Sequence, residues 1–118
     1  MNWLGKWKNQ YGSVLEITGD TDHKITGQFM TALTDSGFYG QTIEMTGYQQ
    51  GNCIGLTGGG KTAAGDMLVT YTGLFRDGKL ETLWCLVADA ALVAAGEGQL
   101  AHIKQNNWWR AAATNADT

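Results

Sequence analysis

Apolar and polar residues alternate along this chain with a period of two, the pattern of β-strands that bury one face. Lys6 to Gln10 makes a first run and Ser13 to Thr18 a second, in which Val14, Leu15 and Ile17 are apolar. Gly12 supplies the unrestricted backbone that the short turn between them needs. Alternation puts Trp7 and Asn9 on one face of the first run and Lys8 and Gln10 on the other. Gly19-Asp20-Thr21-Asp22 predicts a turn, and Lys24 to Ala32 a third strand. Ile25, Gly27, Phe29, Thr31 and, continuing, Leu33 share one face there, with Thr26, Gln28 and Met30 opposite. After a polar loop, Thr34 to Gly40, further strands are predicted over Thr42–Gln49, Cys53–Gly58, Leu68–Arg76 and Lys79–Val87. Asp77-Gly78 between the last two is the strongest hairpin signal in the chain, because both turn positions take positive φ. Ala88 to Gly98 is Ala-rich and suits a helical turn; Gln99 to Ala111 predicts a last strand. About eight short strands with turns between them favour an all-β up-and-down barrel or a sandwich.

Composition narrows this picture. The 118 residues suffice for one domain with one core. Seventeen Gly, no Pro and five Trp suit strands and tight turns rather than helices. We take residues 1–111 as the folded domain and 112–118 as a small, polar tail. A net charge of −3 with no run of Lys or Arg argues against nucleic acid or an anionic membrane as partner. Neither a long apolar span nor a basic-then-apolar leader is present, so the sequence itself lends no support to export. Two Cys make neither a disulfide framework nor a CxxC site. Alternation turns Cys53 and Cys85 outward on strands separated by another, so no disulfide is expected between them. His23 and His102 lack partners at ligand spacing, and no metal site is expected.

Gly58-Gly59-Gly60-Lys61-Thr62 invites comparison with a phosphate loop. Gly55 stands at the formal spacing, yet strand rather than helix follows, so a flexible connection is the better reading. The candidate chemistry lies elsewhere. In Trp7-Lys8-Asn9-Gln10-Tyr11-Gly12-Ser13 an amide and a hydroxyl stand beside an indole at one rim of a sheet, where they can grip a small polar atom. Both also suit a plain turn cap.

That segment resembles the first biotin-contact turn of the avidin and streptavidin family, W-x-N-Q-x-G-S. The likeness continues in order. Ile25-Thr26-Gly27-Gln28-Phe29 is similar to L-T-G-x-Y, Met45-Thr46-Gly47-Tyr48 to L-T-G-x, and Gly51 to Thr57 to G-x-x-L-G-W-T. Thr70-Tyr71-Thr72-Gly73 resembles T-W-S-G, Leu80 to Leu86 resembles I-x-T-x-W-L-L, and Asn107-Trp108-Trp109 fits an acid or amide, any residue, then Phe. Seven pieces in order span nearly the whole chain.

The resemblance implies an eight-stranded antiparallel up-and-down β-barrel that is not an enzyme, needs no cofactor and holds biotin as a ligand in its mouth. Asn9 and Ser13 would donate to the urea carbonyl oxygen, Asn107 would accept from one urea N–H, and Thr31 would stand near the other. Trp84 and Leu86 would wall the apolar part, with Trp7 and Trp109 at the closed end. Tyr11, Phe29, Leu33, Leu56, Val69 and Tyr71 complete the implied contact set. Secretion enters only through the resemblance. Departures are also plain: Phe29 replaces a Tyr donor, Leu56 and Tyr71 replace Trp, and Met67 and Val69 stand where the family carries hydroxyls. Weakened biotin binding, or a different ligand with a carbonyl or urea head, is therefore expected.

Two alternatives stay open. An enzyme needs an inward acid–base pair, but Glu81 lies opposite in alternation to Trp84 and should face out. A structural module would have its mouth filled by Phe29, Met67 and Leu56. Leu83, Cys85 and Val87 form an apolar strip on the outer face of the seventh strand, which predicts a homo-oligomer, dimer or tetramer, through the sixth to eighth strands.

Overall fold

The computed structural model describes residues 1–32, 34, 38–62, 65–89 and 102–110, and within 102–110 the side chain of Trp108 alone. The two-residue period becomes eight strands: β1 (Gly5–Asn9), β2 (Val14–Thr21), β3 (Lys24–Met30), β4 (Ile43–Gln50), β5 (Cys53–Thr62), β6 (Gly65–Arg76), β7 (Lys79–Ala88) and β8 (His102–Arg110). Each pairs antiparallel with the next, and β8 returns to β1 through Trp7 with Arg110, Lys8 with Trp109 and Asn9 with Trp108. The ring is therefore closed, and the barrel side of the barrel-or-sandwich choice holds. Closure removes the unpaired edges that an open sheet would expose.

Up-and-down order sends alternate connections to opposite ends. At one end the turns are two residues long, at 22–23, 51–52 and 77–78. Asp22, His23, Asp77 and Gly78 all have positive φ, which matches the twist of the flanking strands. His23 is held in that unfavourable region by stacking on Tyr48, with ring centroids 5.4 Å apart, and by its ring Nδ1 contact with the Gln49 carbonyl at 3.0 Å. The other end, the mouth, carries the turn after Asn9 and the longer connections.

Several boundaries move. The expected turn at Gly19–Asp22 belongs to β2, which continues to Thr21 through a bulge between Ile17 and Gly19. The bulge absorbs one residue, so polar Gly19 to Thr21 stays in the ladder. The presumed flexible connection Gly58–Thr62 is strand: β5 runs to Thr62 and β6 begins at Gly65. Glycine is needed there for close approach rather than for flexibility. A Cβ on Gly58 would collide with the Glu44 carbonyl and the Met45 sulfur, and one on Gly59 would lie 2.8 Å from the Met67 carbonyl oxygen. The helical turn expected over Ala88–Gly98 and the tail at 112–118 fall outside the described residues, apart from Ala88, which ends β7, and the exposed Asp89.

The inward positions form one core in layers. Toward the closed end Trp3, Trp7 and Phe75 pack tilted or edge-on, at centroid distances of 5.8 to 6.4 Å. Above them Phe29, Tyr71 and Trp108 meet at 5.6 to 6.2 Å. The resemblance put Trp109 in the core; its side chain lies outside the described residues, whereas its neighbour Trp108 is buried, 1 % exposed, and donates from Nε1 to Thr82 Oγ1 at 3.0 Å. Two adjacent Trp fit two registers equally well, and a slip of one residue exchanges the faces.

Candidate ligand-binding site

The mouth is organised by the turn that joins β1 to β2. Gly12 takes φ of +86°, and its N–H donates to the Asn9 carbonyl at 3.0 Å. The Asn9 side chain turns back on the same loop, where Oδ1 accepts from the Tyr11 and Ser13 N–H groups, each at 3.0 Å. Two N–H donors must meet an oxygen, so the amide orientation follows from the chemistry. Nδ2, which can only donate, is the group left over. Capping the turn and presenting a donor are thus one arrangement, not competing ones.

Ser13 is buried at the same rim. Its Oγ accepts from the Ala32 N–H at 2.8 Å and donates to Thr31 Oγ1 across 3.4 Å, a stretched bond. A better-placed acceptor would draw that proton. Asn9, Ser13 and Thr31 therefore place one amide donor and two hydroxyls together, although β3 ends at Met30 and Thr31 lies just beyond it.

Apolar and aromatic groups complete the walls. Phe29, Leu56, Val69 and Tyr71 are buried, and Trp84 and Leu86 pack half-buried against the same core. The register sets Tyr71 opposite Trp84 and Val69 opposite Leu86. Burial pushes the Tyr71 phenol well above its ordinary pKa, so it is neutral throughout the physiological range.

Other candidates land elsewhere. Tyr11 is 51 % exposed on the turn, away from the walls. Leu33 and the Asn107 side chain lie outside the described residues. In the backbone register Asn107 stands opposite Glu81, and Asn106 opposite Thr82. Glu81 pairs with Arg76 at 2.9 Å and Lys79 at 3.8 Å, so it faces out, as alternation predicts. Cys53 and Cys85 are free, and Cys53 is exposed.

Sequence reasoning missed two contributors. Phe38, in a connection read as polar loop, is buried to 1 % exposure; the adjacent aromatics Phe38 and Tyr39 in such a loop were the available signal. Trp108 was hidden by its neighbour. Thr82, the acceptor for the Trp108 indole, is buried, as its alternation with Trp84 and Leu86 predicts.

The avidin family model matches residues 1–111. Among solved structures the fold is similar to apo shwanavidin, with TM-score 0.74 and 18 % identity over 92 % of this chain and 95 % of that one. It is similar also to bradavidin2 in complex with biotin, at 0.73 and 17 % over 93 % and 98 %. Rhizavidin in complex with biotin gives 0.71 and 20 % over 91 % and 90 %. At such identities the likeness is one of fold. No curated protein matches the sequence. With a closed barrel of eight strands and a family model that spans nearly its whole length, the chain belongs to the avidin family.

Proposed function

We propose that this barrel is a non-catalytic binder of a small molecule with a urea or carbonyl head, and that biotin is a ligand of it. One observation carries the reading: Asn9 Oδ1 is held by its own turn, which leaves Nδ2 as a fixed donor beside the Ser13 hydroxyl. A urea carbonyl accepts from both. Thr31 supplies an oxygen for one urea N–H. For the other, β8 offers the amides of Asn107, which the resemblance implies, and of its neighbour Asn106; in the backbone register they stand opposite Glu81 and Thr82. Bradavidin2 and rhizavidin, of similar fold, are known as biotin complexes.

Binding should be weaker than the family limit. Phe29 offers no third donor to the carbonyl, Met67 and Val69 offer no hydroxyl, and each missing hydrogen bond in a buried site costs about 1–3 kcal/mol. With the lost indole walls the deficit is on the order of 5–10 kcal/mol against the non-covalent ceiling. Calorimetry with biotin tests the reading. Heat and thermal stabilisation are expected at micromolar to millimolar ligand. Asn9→Asp should keep the turn, since a carboxylate accepts the same two N–H groups, yet abolish binding, since it cannot donate. A wild-type chain that millimolar biotin neither heats nor stabilises sinks the biotin assignment.

A second reading draws on the burial of Phe29, Leu56 and Met67, which suits a barrel filled by its own side chains and acting as an oligomeric module. The same titration separates the two. Under either reading the chain assembles with itself, through the exposed Leu68, Leu74 and Leu83 on the outer face of β6 and β7.

A further inference from the structure

We infer that the site selects a ligand whose tail is uncharged and apolar, so that a neutral ester is bound as well as, or better than, the corresponding carboxylate. This rests on the binding reading above and adds the ligand's other end. The interior of the mouth is divided by sector. Of the polar groups, Asn9 ends β1, Ser13 immediately precedes β2 and Thr31 immediately follows β3. Toward the mouth, the described inward positions of β4 to β7 are mainly apolar: Ile43, Met67, Val69, Leu86 and Ala88 point inward, Phe38 joins them from the connection before β4, and the Tyr71 phenol and Thr82 lie deeper.

Register makes this sector continuous. Gly60 stands opposite Met67, Met67 opposite Ala88, and Val69 opposite Leu86. A Cβ built on Gly60 would lie 3.3 Å from Ile43 Cδ1 and 3.4 Å from Phe38 Cε1, so Phe38 packs over a strand position that has no side chain. Among the described residues two polar side chains lie near that spot: Thr62, whose Oγ1 donates to the Gly65 carbonyl at 2.9 Å, and Gln41, which points the wrong way for an anion. Gln41 turns its Nε2 to the Lys61 carbonyl at 2.9 Å, and its Oε1, an acceptor, lies 3.3 Å from the same built Cβ. Lys61, the neighbouring cation, pairs with Asp66 at 3.2 Å on the exposed surface. A carboxylate laid along Met67, Val69 and Leu86 would give up water and meet an acceptor, whereas a hydrocarbon or thioether tail loses nothing there.

Biotin and biotin methyl ester carry the same head and differ only at the tail's end, so the full chain should be titrated with each by calorimetry at neutral pH. The ester is expected to bind within threefold of the acid or more tightly. An acid that binds more than threefold tighter than its ester overturns the inference and leaves the binding reading standing. If neither compound gives heat or raises the unfolding temperature at millimolar concentration, both fall together.

Discussion

Tyr71 shows how one side chain ties the site to stability. It lies among Phe29, Trp108 and Leu56, and burial raises its phenol pKa above the ordinary value near 10. The stabilising contribution of the neutral form is complete below the unfolded value. It is lost as pH rises past about 10, where the unfolded phenol ionises and the folded one does not. Urea unfolding at increasing alkalinity should show a steeper loss of stability for wild type than for Tyr71→Phe; identical slopes would contradict this account. Thr82 matters differently. Its Oγ1 accepts from the Trp108 indole inside the barrel, and Thr82→Val keeps the shape but leaves that N–H without an acceptor. A loss of about 1–3 kcal/mol is expected by denaturant titration. Asn9 and Ser13 were visible as candidates from residue type alone, but only the hydrogen bonds to Tyr11 and Ser13 N–H reveal which atom of the amide remains to donate.

Within the strands, the glycines carry the barrel's geometry. Gly27 shares the inward face of β3 with Ile25 and Phe29, yet a Cβ there would run into the Glu16 carbonyl and stand 3.1 Å from Ile17 Cα. Gly47 on β4 meets the Gly55 carbonyl in the same way. Backbone cannot swing aside as a side chain can, so Gly27→Ala should destabilise by roughly 1–3 kcal/mol or more, measured as a fall in the unfolding midpoint. A neutral result would mean that β2 and β3 can separate locally. The alternation made these strands legible, and Asp77-Gly78 was legible as a turn from two residues. The bulge at Ile17 and Gly19 was not, because a single inserted residue leaves no periodic trace where the sequence is already polar. Nor did Gly58 to Gly60 declare themselves as strand, since glycine forced by a crowded neighbour reads like glycine chosen for freedom.

For the molecule as a whole, closure turns the inner faces into one core and leaves the outer face to be judged by its residues. Leu68 and Leu83 are half exposed, and Leu74 more than a third, on adjacent strands whose register brings Val87 opposite Leu68. Such a patch is better covered by a second copy of the chain. Sedimentation at micromolar concentration should give a dimer or larger, and Leu83→Lys should shift it toward monomer. A clean wild-type monomer would remove the assembly from consideration. The outward position of Glu81, paired with Arg76 and Lys79, keeps that carboxylate away from the interior.

The order of apolar and polar residues by itself determined the strand count, most inward faces and the polar turn at Asn9, because those depend on neighbours a few residues apart. Tertiary structure decided the rest. That Trp108 is buried and that Phe38 joins the core are settled by strands distant in the chain, while the folded turn itself settles which atom of Asn9 stays available. Period-two alternation says that faces differ; contact across the ring says which face is inside.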